Sequence, residues 1–340
     1  TPASTILSEV IADGTVPYLQ AEDEISVAMS ALGASFAGKR SMVGTSGGWF
    51  ALMTESISFA QQAEIPIVMV LAQRAGPSTG TPTFHEQWDL NVALNPSFGD
   101  FEHIVIAPSS LENAYYTGAQ ALNLAQKYQT TVIVLIDKQF ADGKATLEGE
   151  LTIPEVERGK LETNPAADYK RYELTDDGIS PYTMPGMQDW DFIATSYEHD
   201  EYGATTEDSD MKIAMTEKRW EKLKNFFQKE EITGYDIYNP EAKKIIVTTS
   251  YTIYTAKEFV KNNPEFGLII IHFLKPLDER LLDELKWKDE VIFVESNYSG
   301  QLENYVNKEL GLKYVDGLKI RNLRKYDLYP FYYEDFETLK

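Results

Sequence analysis

The sequence contains no cysteine in 340 residues, which excludes disulfide bonds and any iron–sulfur cluster held by thiolates of this chain. Positive charge is also scarce, since 31 lysines and arginines stand against 53 aspartates and glutamates, for a formal net charge of −22. This balance disfavours nucleic acid or an anionic membrane as the main partner, because both would be repelled. There is no apolar run long enough to span a bilayer and no visible signal peptide. We therefore expect a cytoplasmic globular protein.

Several common ligand-binding motifs are missing as well. No G-x-G-x-x-G fingerprint follows a predicted strand, and no Walker loop occurs. None of the four histidines has a second one at metal-ligand spacing, so without thiols a zinc site is not expected. No Ser-His-Asp arrangement can be argued from spacing. We expect His272 to be structural and His103 to lie at the surface, whereas His85 and His199, in loops, stay candidates for a role.

Strands and helices alternate in the first part of the chain. Apolar runs predict strands at 15–19, 41–45, 65–72, 103–107 and 131–136, separated by helices at 22–37, 48–63, 86–94 and 111–128. The last three strands are almost unbroken runs of Val, Ile and Leu, which is typical of central parallel strands covered on both faces. Residues 1–150 are therefore predicted to form a doubly wound parallel sheet.

The pattern breaks after this region. Residues 151–240 are rich in Asp, Glu, Tyr, Pro and Gly, with one predicted helix at 208–230, and we interpret them as an ordered connector or lid. Alternation returns in residues 241–340, with strands predicted at 244–249, 267–273, 290–295 and 318–321 and helices at 253–262, 279–285 and 300–310. The predicted fold is thus α/β, with two doubly wound parallel-sheet domains joined by a long irregular connector.

The loops after the strands of the first domain are the candidate site, because ligands of such sheets bind beyond the carboxyl ends of the strands. Glu24 begins a predicted helix, one face of which carries only Ala and Gly. Side chains this small are expected where another backbone packs closely against the helix. A carboxylate beside that face should be partly buried, and a buried carboxylate needs a partner. For the neighbouring Glu22 and Asp23, stabilisation of the helix N-terminus explains the charge.

Two further loops contribute polar groups. Arg74 begins the loop R-A-G-P-S-T-G and offers a bidentate donor for a carboxylate, although capping a helix or pairing with a nearby acid remains an alternative. Thr45, Ser46 and Gly47 follow the second predicted strand and precede a helix, an arrangement that favours anions. Strand–Gly–Gly–helix sequences are common, so this second signal is weak.

Together these motifs resemble the alpha subunit of 2-oxoacid:ferredoxin oxidoreductases, of the 2-oxoglutarate or broad 2-oxoacid type. The resemblance is carried by TPAS at 1–4, QAEDE at 20–24, TSGG at 45–48, RAGPSTG at 74–80, QWDL at 87–90, LTDDGISP at 174–181, EHDEYG at 198–203, VESNYSGQL at 294–302 and KYD at 325–327. These motifs occur in the family's order over nearly the whole chain. The chain starts at Thr1 rather than Met, so we expect an upstream segment.

The resemblance implies a function for each candidate residue. The first domain would be the pyrimidine-binding half of a thiamine diphosphate site, and the second would be similar to the C-terminal domain of transketolase. Glu24 would be the catalytic residue, hydrogen-bonded to N1′ of the aminopyrimidine ring, with residues 45–47 also binding the cofactor. Thr1 and Arg74 would bind the 2-oxoacid substrate.

The resemblance also implies partners. The superfamily's GDG motif with a later Asn, which holds Mg²⁺ and the diphosphate, is missing. We therefore expect no metal on this chain, and a beta subunit that brings the diphosphate–Mg²⁺ site and a [4Fe-4S] cluster across an interface of about 2,000 Å² or more. Gamma and ferredoxin-like delta subunits or domains, ferredoxin and coenzyme A are further expected partners. The reaction would be oxidative decarboxylation of a 2-oxoacid to acyl-CoA and CO₂ with reduction of ferredoxin.

Two positions depart from the family pattern. The family usually reads TSGPG where this chain has Gly48 and Trp49, and it usually has a histidine where this chain has Phe98. Both changes bear on which 2-oxoacid is the substrate and on the volume of the pocket. The alternatives are a related indolepyruvate-type or non-oxidative thiamine diphosphate enzyme, or a non-catalytic scaffold subunit.

Overall fold

The computed structural model describes residues 2–146, 149–152, 154–187 and 191–340, without the side chains of residues 2–7. In the first part of the chain the elements are α1 (Pro2–Asp13), α2 (Glu24–Phe36), β1 (Met42–Thr45), a 3₁₀ helix (Gly47–Met53), α3 (Thr54–Gln62), β2 (Ile67–Gln73), α4 (Leu90–Leu94), β3 (Ile104–Ile106), α5 (Leu111–Tyr128), β4 (Thr131–Asp137) and α6 (Lys138–Asp142). The Ser110 side chain caps the N-terminus of α5, a helix whose bounds agree with the sequence prediction.

The remaining elements follow the connector. They are α7 (Ser209–Glu221), α8 (Phe226–Glu230), β5 (Tyr235–Tyr238), β6 (Lys244–Thr248), a 3₁₀ turn (Ser250–Thr252), α9 (Ile253–Asn262), β7 (Phe266–Ile271), β8 (Phe273–Lys275), α10 (Leu281–Leu285), β9 (Glu290–Glu295), α11 (Gln301–Leu310), a 3₁₀ turn (Leu312–Tyr314), β10 (Lys319–Arg324) and α12 (Tyr333–Glu337).

Two five-stranded sheets form the frame, in the orders β1-β2-β4-β3-β8 and β10-β9-β6-β7-β5. All neighbouring strands are parallel except the pairs β3–β8 and β5–β7 at the sheet edges. The predicted α/β class with parallel sheets is therefore confirmed. In the first sheet, β2 and β4 pair from Ile67↔Thr131 to Gln73↔Asp137, which brings the carboxyl ends of both strands together.

The two antiparallel edge strands were not predicted from the sequence. The predicted strand 267–273 is in fact two strands, because the chain leaves the second sheet after Ile271 and β8 then pairs with β3 of the first sheet. At the crossing, the Ala107 N–H donates to the His272 carbonyl at 2.8 Å. The second part of the chain thus supplies a strand to the first sheet. The domain boundaries at residues 150 and 240 stay a prediction.

Side chains on both faces of the central strands are buried. In β2, Val68 packs into the apolar cluster on one face, while Met69 and Leu71 pack into the cluster on the other. Helices cover both faces, which explains why these strands read as continuous apolar runs rather than as alternating ones. None of the helices in the described ranges is both long and apolar enough to cross a membrane.

The strand predicted at 15–19 is wrong. Residues 14–23 have no regular structure, and Val16 and Leu19 expose 56% and 65% of their surface. The local sequence is apolar, but no described strand pairs with it, so the segment stays an irregular lead-in to α2. The helix predicted at 86–94 begins only at Leu90, because the backbone groups of Gln87 bond to the second sheet's loops instead.

The connector packs against the amino edge of the first sheet. Glu64, three residues before β2 begins, is fully buried between two lysines of the connector, with Lys218 Nζ 2.7 Å and Lys222 Nζ 2.6 Å from its carboxylate oxygens. The Arg171 guanidinium donates to the Glu64 carbonyl at 2.9 Å. These contacts hold the connector at the edge opposite the carboxyl ends of the strands. The helix predicted at 208–230 is interrupted there, because Asn225 adopts a left-handed conformation between α7 and α8.

Candidate functional site

The Arg74 loop starts where β2 ends, at the carboxyl edge of the first sheet. Arg74 is 3% exposed, so it is a buried side chain rather than a surface one. The Thr81 N–H donates to the Ala75 carbonyl at 3.1 Å and closes the loop at its base. Gly80 has φ +53° and a Cβ there would overlap the Ala75 carbonyl, so only glycine allows this closure.

Residues 45–47 lie beside this loop, because β1 is the neighbour of β2. Thr45 and Ser46 are buried, and Gly47 turns the chain with φ +48°. A Cβ on Gly47 would lie 3.5 Å from Arg74 Nε and 3.7 Å from Asp89 Oδ2. The structure therefore brings together Gly47 and Arg74, both predicted from the sequence, and adds Asp89, which the sequence analysis did not single out.

Several polar atoms at this edge are buried and have no hydrogen-bond partner among the described residues. They are Ser46 Oγ, Arg74 Nε, Trp88 Nε1 and Asp89 Oδ2. A buried polar group left unpaired costs about 1–3 kcal/mol, so a concentration of them marks a place where a ligand's polar atoms are expected. Burial raises the pKa of the Asp89 carboxyl to about 6, although the charge of Arg74 opposes the rise.

Glu24 is the first residue of α2. The Asp23 side chain caps the helix by accepting from the Ser26 N–H at 2.7 Å, and these hydrogen bonds lower the pKa of Asp23. Glu24 is partly buried, and within the described part of the chain its carboxylate has no hydrogen bond or ion pair. The helix α2 packs on β1, and the short link from Phe36 to Met42 brings its C-terminus to the start of that strand. We infer that the other end of α2, with Glu24, lies towards the carboxyl edge of the sheet. No described contact joins it directly to residues 45–47 or Arg74.

The chain around Glu24 exposes large apolar side chains. Val16, Tyr18 and Leu19 precede α2, and Ile25 and Met29 lie one turn apart on it, each with nearly half or more of its surface exposed. Single exposed apolar residues are ordinary, but a concentration of them marks an interaction surface. We call residues 16–29 the exposed apolar segment.

The structure also locates the positions at which this chain departs from the family pattern. Of these, Trp49 and Phe98 expose 45% and 64% of their surface. Gly48 faces the Arg74 loop, where a Cβ on it would lie 3.9 Å from the Ser78 carbonyl oxygen. Thr1, expected to bind substrate, lies outside the described residues. The described residues contain no group of three or more His, Asp or Glu side chains placed to hold a metal ion.

A Ser–His–Asp arrangement, which spacing could not reveal, lies next to the site. His85 Nε2 is 3.3 Å from Ser296 Oγ, and His85 Nδ1 is 3.9 Å from Asp137 Oδ1, too long for a hydrogen bond. Burial lowers the pKa of His85, with Asp137 opposing the change. Ser296 is 1% exposed and the His85–Asp137 pair is not hydrogen-bonded, so the trio is a buried contact between the two sheets.

The other histidines are structural. The expectation that His103 lies at the surface is wrong, since it is buried with Nε2 2.8 Å from the Ala93 carbonyl, and burial lowers its pKa to about 3. His199 is buried in the connector, where its ring packs 4.0 Å from the Tyr172 ring. His272 joins β7 to β8, and its Nε2 lies 3.1 Å from the Thr233 carbonyl.

Comparison with known proteins extends this picture. Residues 1–218 match the family described as pyruvate flavodoxin/ferredoxin oxidoreductase, thiamine diphosphate-binding. The chain is 38% identical over 308 residues to 2-oxoacid:ferredoxin oxidoreductase 2, subunit alpha, of Aeropyrum pernix, covering 88% of this chain and 48% of that protein. It is 37% identical over 312 residues to the 2-oxoacid:ferredoxin oxidoreductase subunit alpha of Saccharolobus solfataricus, covering 88% and 49%. The chain thus spans about half the length of the curated relatives it matches.

A solved structure matches as well. The 2-oxoglutarate:ferredoxin oxidoreductase of Magnetococcus marinus, solved with 2-oxoglutarate, coenzyme A and succinyl-CoA, has 30% sequence identity to this chain and a TM-score of 0.86. The similarity covers 99% of this chain and 59% of that one. It therefore includes the connector as well as both sheets.

Proposed function

Since this chain belongs to the thiamine-diphosphate-binding family of alpha subunits of 2-oxoacid:ferredoxin oxidoreductases, we propose that it takes part in oxidative decarboxylation of a 2-oxoacid to acyl-CoA and CO₂, with reduction of ferredoxin. The observation that carries the proposal is the cluster of Ser46, Gly47, Arg74 and Asp89 at the carboxyl edge of the first sheet. Its buried, unpaired polar atoms suit a ligand that brings its own donors and acceptors.

The residues present fit the pyrimidine end of thiamine diphosphate. When bound, this cofactor supplies the nucleophilic carbon and the electron sink that decarboxylation of a 2-oxoacid requires. Glu24 offers a partly buried carboxylate without a partner in the described chain, which is what a protonated ring nitrogen needs. We propose that Glu24 holds a proton at N1′ as general acid–base catalyst and that residues 45–47 lie against the ring.

Arg74 is the proposed anchor of the substrate carboxylate. Its guanidinium is buried, and its Nε has no partner among the described side chains, so it can bind a carboxylate in a site shielded from water. The adjacent Asp89 carboxylate interacts with the charge of Arg74 and would balance it whenever no substrate is bound. A positive centre in a protein of net charge −22 is also what an anionic substrate requires.

We propose that a beta subunit covers the exposed apolar segment and completes the site. That subunit would bring the binding site for the diphosphate and Mg²⁺. It would also hold a [4Fe-4S] cluster, since this chain has no cysteine to ligate one. The exposed Val16, Leu19 and Ile25 close to Glu24 support a partner at this place. Gamma and delta subunits or domains, ferredoxin and coenzyme A as partners, substrate binding by Thr1, and a cytoplasmic location stay predictions.

The proposal is tested on the complex formed with the partner subunit. We expect reduction of ferredoxin or a dye that depends on both a 2-oxoacid and coenzyme A, and pyruvate and 2-oxoglutarate are compared as substrates. Turnover without an electron acceptor would indicate a non-oxidative thiamine diphosphate enzyme instead. A complex that contains no thiamine diphosphate would indicate a non-catalytic scaffold subunit. Trp49 and Phe98, which depart from the family pattern, are the reason for testing that alternative.

Arg74→Ala is expected to raise KM for the 2-oxoacid by about 10- to 100-fold, because a charge-assisted hydrogen bond contributes about 1.5–3 kcal/mol. The measurement is the initial rate against 2-oxoacid concentration. As a control, Arg40→Ala removes an arginine from the opposite edge of the same sheet, where Arg40 donates to Asn123 at 2.7 Å. An unchanged KM in Arg74→Ala would rule out its substrate role.

A further inference from the structure

We propose that residues 85–89 form an interdomain strap through which the second sheet holds the Arg74 loop, and that Gln87 is its main positioning residue. The proposal rests on the substrate role assigned to Arg74 above. The proposal gives the second sheet a function in positioning the site. Loops of the second sheet lie beside the carboxyl edge of the first sheet, where the candidate site is.

Gln87 is the most densely bonded residue of the strap. Its side-chain Nε2 lies 3.2 Å from Asp137 Oδ2, 3.3 Å from the Thr249 carbonyl and 3.4 Å from Thr252 Oγ1, and its Oε1 accepts from the Ser296 N–H at 3.0 Å. Its backbone N–H donates to the Ser296 carbonyl at 2.7 Å, and its carbonyl accepts from Asn297 Nδ2 at 3.1 Å. One buried amide therefore joins the carboxyl ends of β4, β6 and β9.

The second sheet holds the strap at a further point. Gln301, at the start of α11, donates through Nε2 to the Trp88 carbonyl at 2.9 Å and accepts through Oε1 from the Asn91 N–H at 2.9 Å. The strap itself is neither helix nor strand. Side chains of Asn297 and Gln301, together with the Ser296 backbone carbonyl, therefore bond to backbone groups that regular secondary structure would otherwise pair.

The far end of the strap reaches the site. The Asp89 N–H donates to Gln73 Oε1 at 3.1 Å, and Gln73 is the residue before Arg74. The Asp89 carboxylate and Arg74 Nε both lie beside Gly47. The Arg74 loop is thus fixed at its base by the Ala75–Thr81 bridge and on its other side by a strap bonded to the second sheet. Substrate-binding groups displaced by about 1 Å lose much of their effect, so this anchoring bears directly on Arg74.

The test compares Gln87→Leu and Gln301→Leu with Thr248→Val in the assembled complex. The two leucine variants preserve volume but remove bonds to the strap. Thr248→Val removes a buried hydrogen bond of similar length, to the Val294 carbonyl at 2.7 Å, that does not touch the strap. We expect amide hydrogen exchange of residues 74–81 to accelerate by about tenfold or more in both leucine variants and to stay unchanged in Thr248→Val. Exchange in β4 serves as the internal reference.

Kinetics separate this proposal from the role of Arg74. We expect Gln87→Leu to raise KM for the 2-oxoacid by about tenfold with little change in kcat, and to add nothing to KM in an Arg74→Ala background. A faster-exchanging loop with an unchanged KM would overturn the positioning role of Gln87 if Arg74→Ala raises KM, and the substrate role of Arg74 if Arg74→Ala leaves KM unchanged. Unaltered exchange of residues 74–81 in the leucine variants would overturn the strap. If Gln87→Leu does not fold, Gln301→Leu decides by the same criterion.

Discussion

Glu24→Gln is expected to lower 2-oxoacid-dependent turnover by about 10²- to 10⁴-fold, the usual contribution of a general acid–base group. Glutamine has nearly the same shape as glutamate, but it is neutral and cannot accept a proton at neutral pH. Because Glu24 bonds to no described residue of its own chain, the substitution leaves α2 with its Asp23 cap and its packing intact. The measurement is the steady-state rate of acceptor reduction in the complex with the partner subunit.

Glu22→Gln is the matched control for this experiment. Glu22 is an exposed carboxylate two residues before Glu24, in the irregular lead-in to α2. We expect the turnover of Glu22→Gln to stay within about twofold of the unaltered protein, since an exposed charge that does not touch the reacting atoms contributes little. Near-normal turnover in Glu24→Gln would remove this residue from the mechanism, and an equal loss in both variants would point to a disturbed subunit contact.

Glu64→Gln is expected to reduce the free energy of unfolding by about 3 kcal/mol, the lower part of the range for breaking a buried ion pair. The variant leaves Lys218, Lys222 and Arg171 buried without their counter-charge. Burial lowers the pKa of Lys222 to about 7 even with Glu64 present, so this lysine can lose its proton and limit the loss. Denaturant unfolding followed by circular dichroism measures the change.

Glu201→Gln provides the comparison for Glu64. Glu201 pairs with Lys170 at 2.9 Å in the connector, but both side chains are partly exposed, so its loss should cost no more than about 1 kcal/mol. Equal effects of the two substitutions would show that burial does not set the strength of the Glu64 cluster. Turnover of folded Glu64→Gln should be normal, because the cluster lies at the edge opposite the site.

The Glu64 cluster also predicts how stability changes in acid. Burial alone would raise the pKa of Glu64, but the positive charges of Lys218, Lys222 and Arg171 hold it far below its ordinary value. A carboxyl with a lowered pKa in the folded state stabilises the protein above its unfolded pKa, near 4.5, and loses that contribution as the pH falls below it. Unfolding measured between pH 6 and pH 3 should therefore show a smaller acid-induced loss in Glu64→Gln than in the unaltered protein.

Periodicity in the sequence was enough to predict the elements with a long and regular pattern. The bounds of α5, α9 and β9 agree with prediction, because each is a long amphipathic or apolar run with clear end signals. Pairing at long range was not predictable. The strand β8 is a three-residue extension of β7 in sequence, and only tertiary contact shows that it belongs to the other sheet.

Local sequence patterns predicted some residues of the candidate site, but not those that are placed by contacts between distant parts of the chain. Gly47 and Arg74 follow strands at the carboxyl edge, so sequence and topology place both in the site. Asp89 and Gln87 lie in a stretch with helical periodicity, and no local signal distinguishes a helix from a strap bonded to a distant loop. The Glu64 cluster joins residues from position 64 to position 222, so no spacing rule would have found it.

The strand β8 has a consequence for how the molecule is made. During synthesis, β3 emerges from the ribosome long before residues 273–275, so one side of the nascent first sheet has no neighbour until about four-fifths of the 340 residues have been translated. An uncovered strand of this kind invites pairing with other chains. The N-terminal half expressed on its own would keep that open border permanently. If the polypeptide were split into two chains at the connector, the first chain would therefore tend to aggregate unless the second chain supplied β8 to the open edge of its sheet.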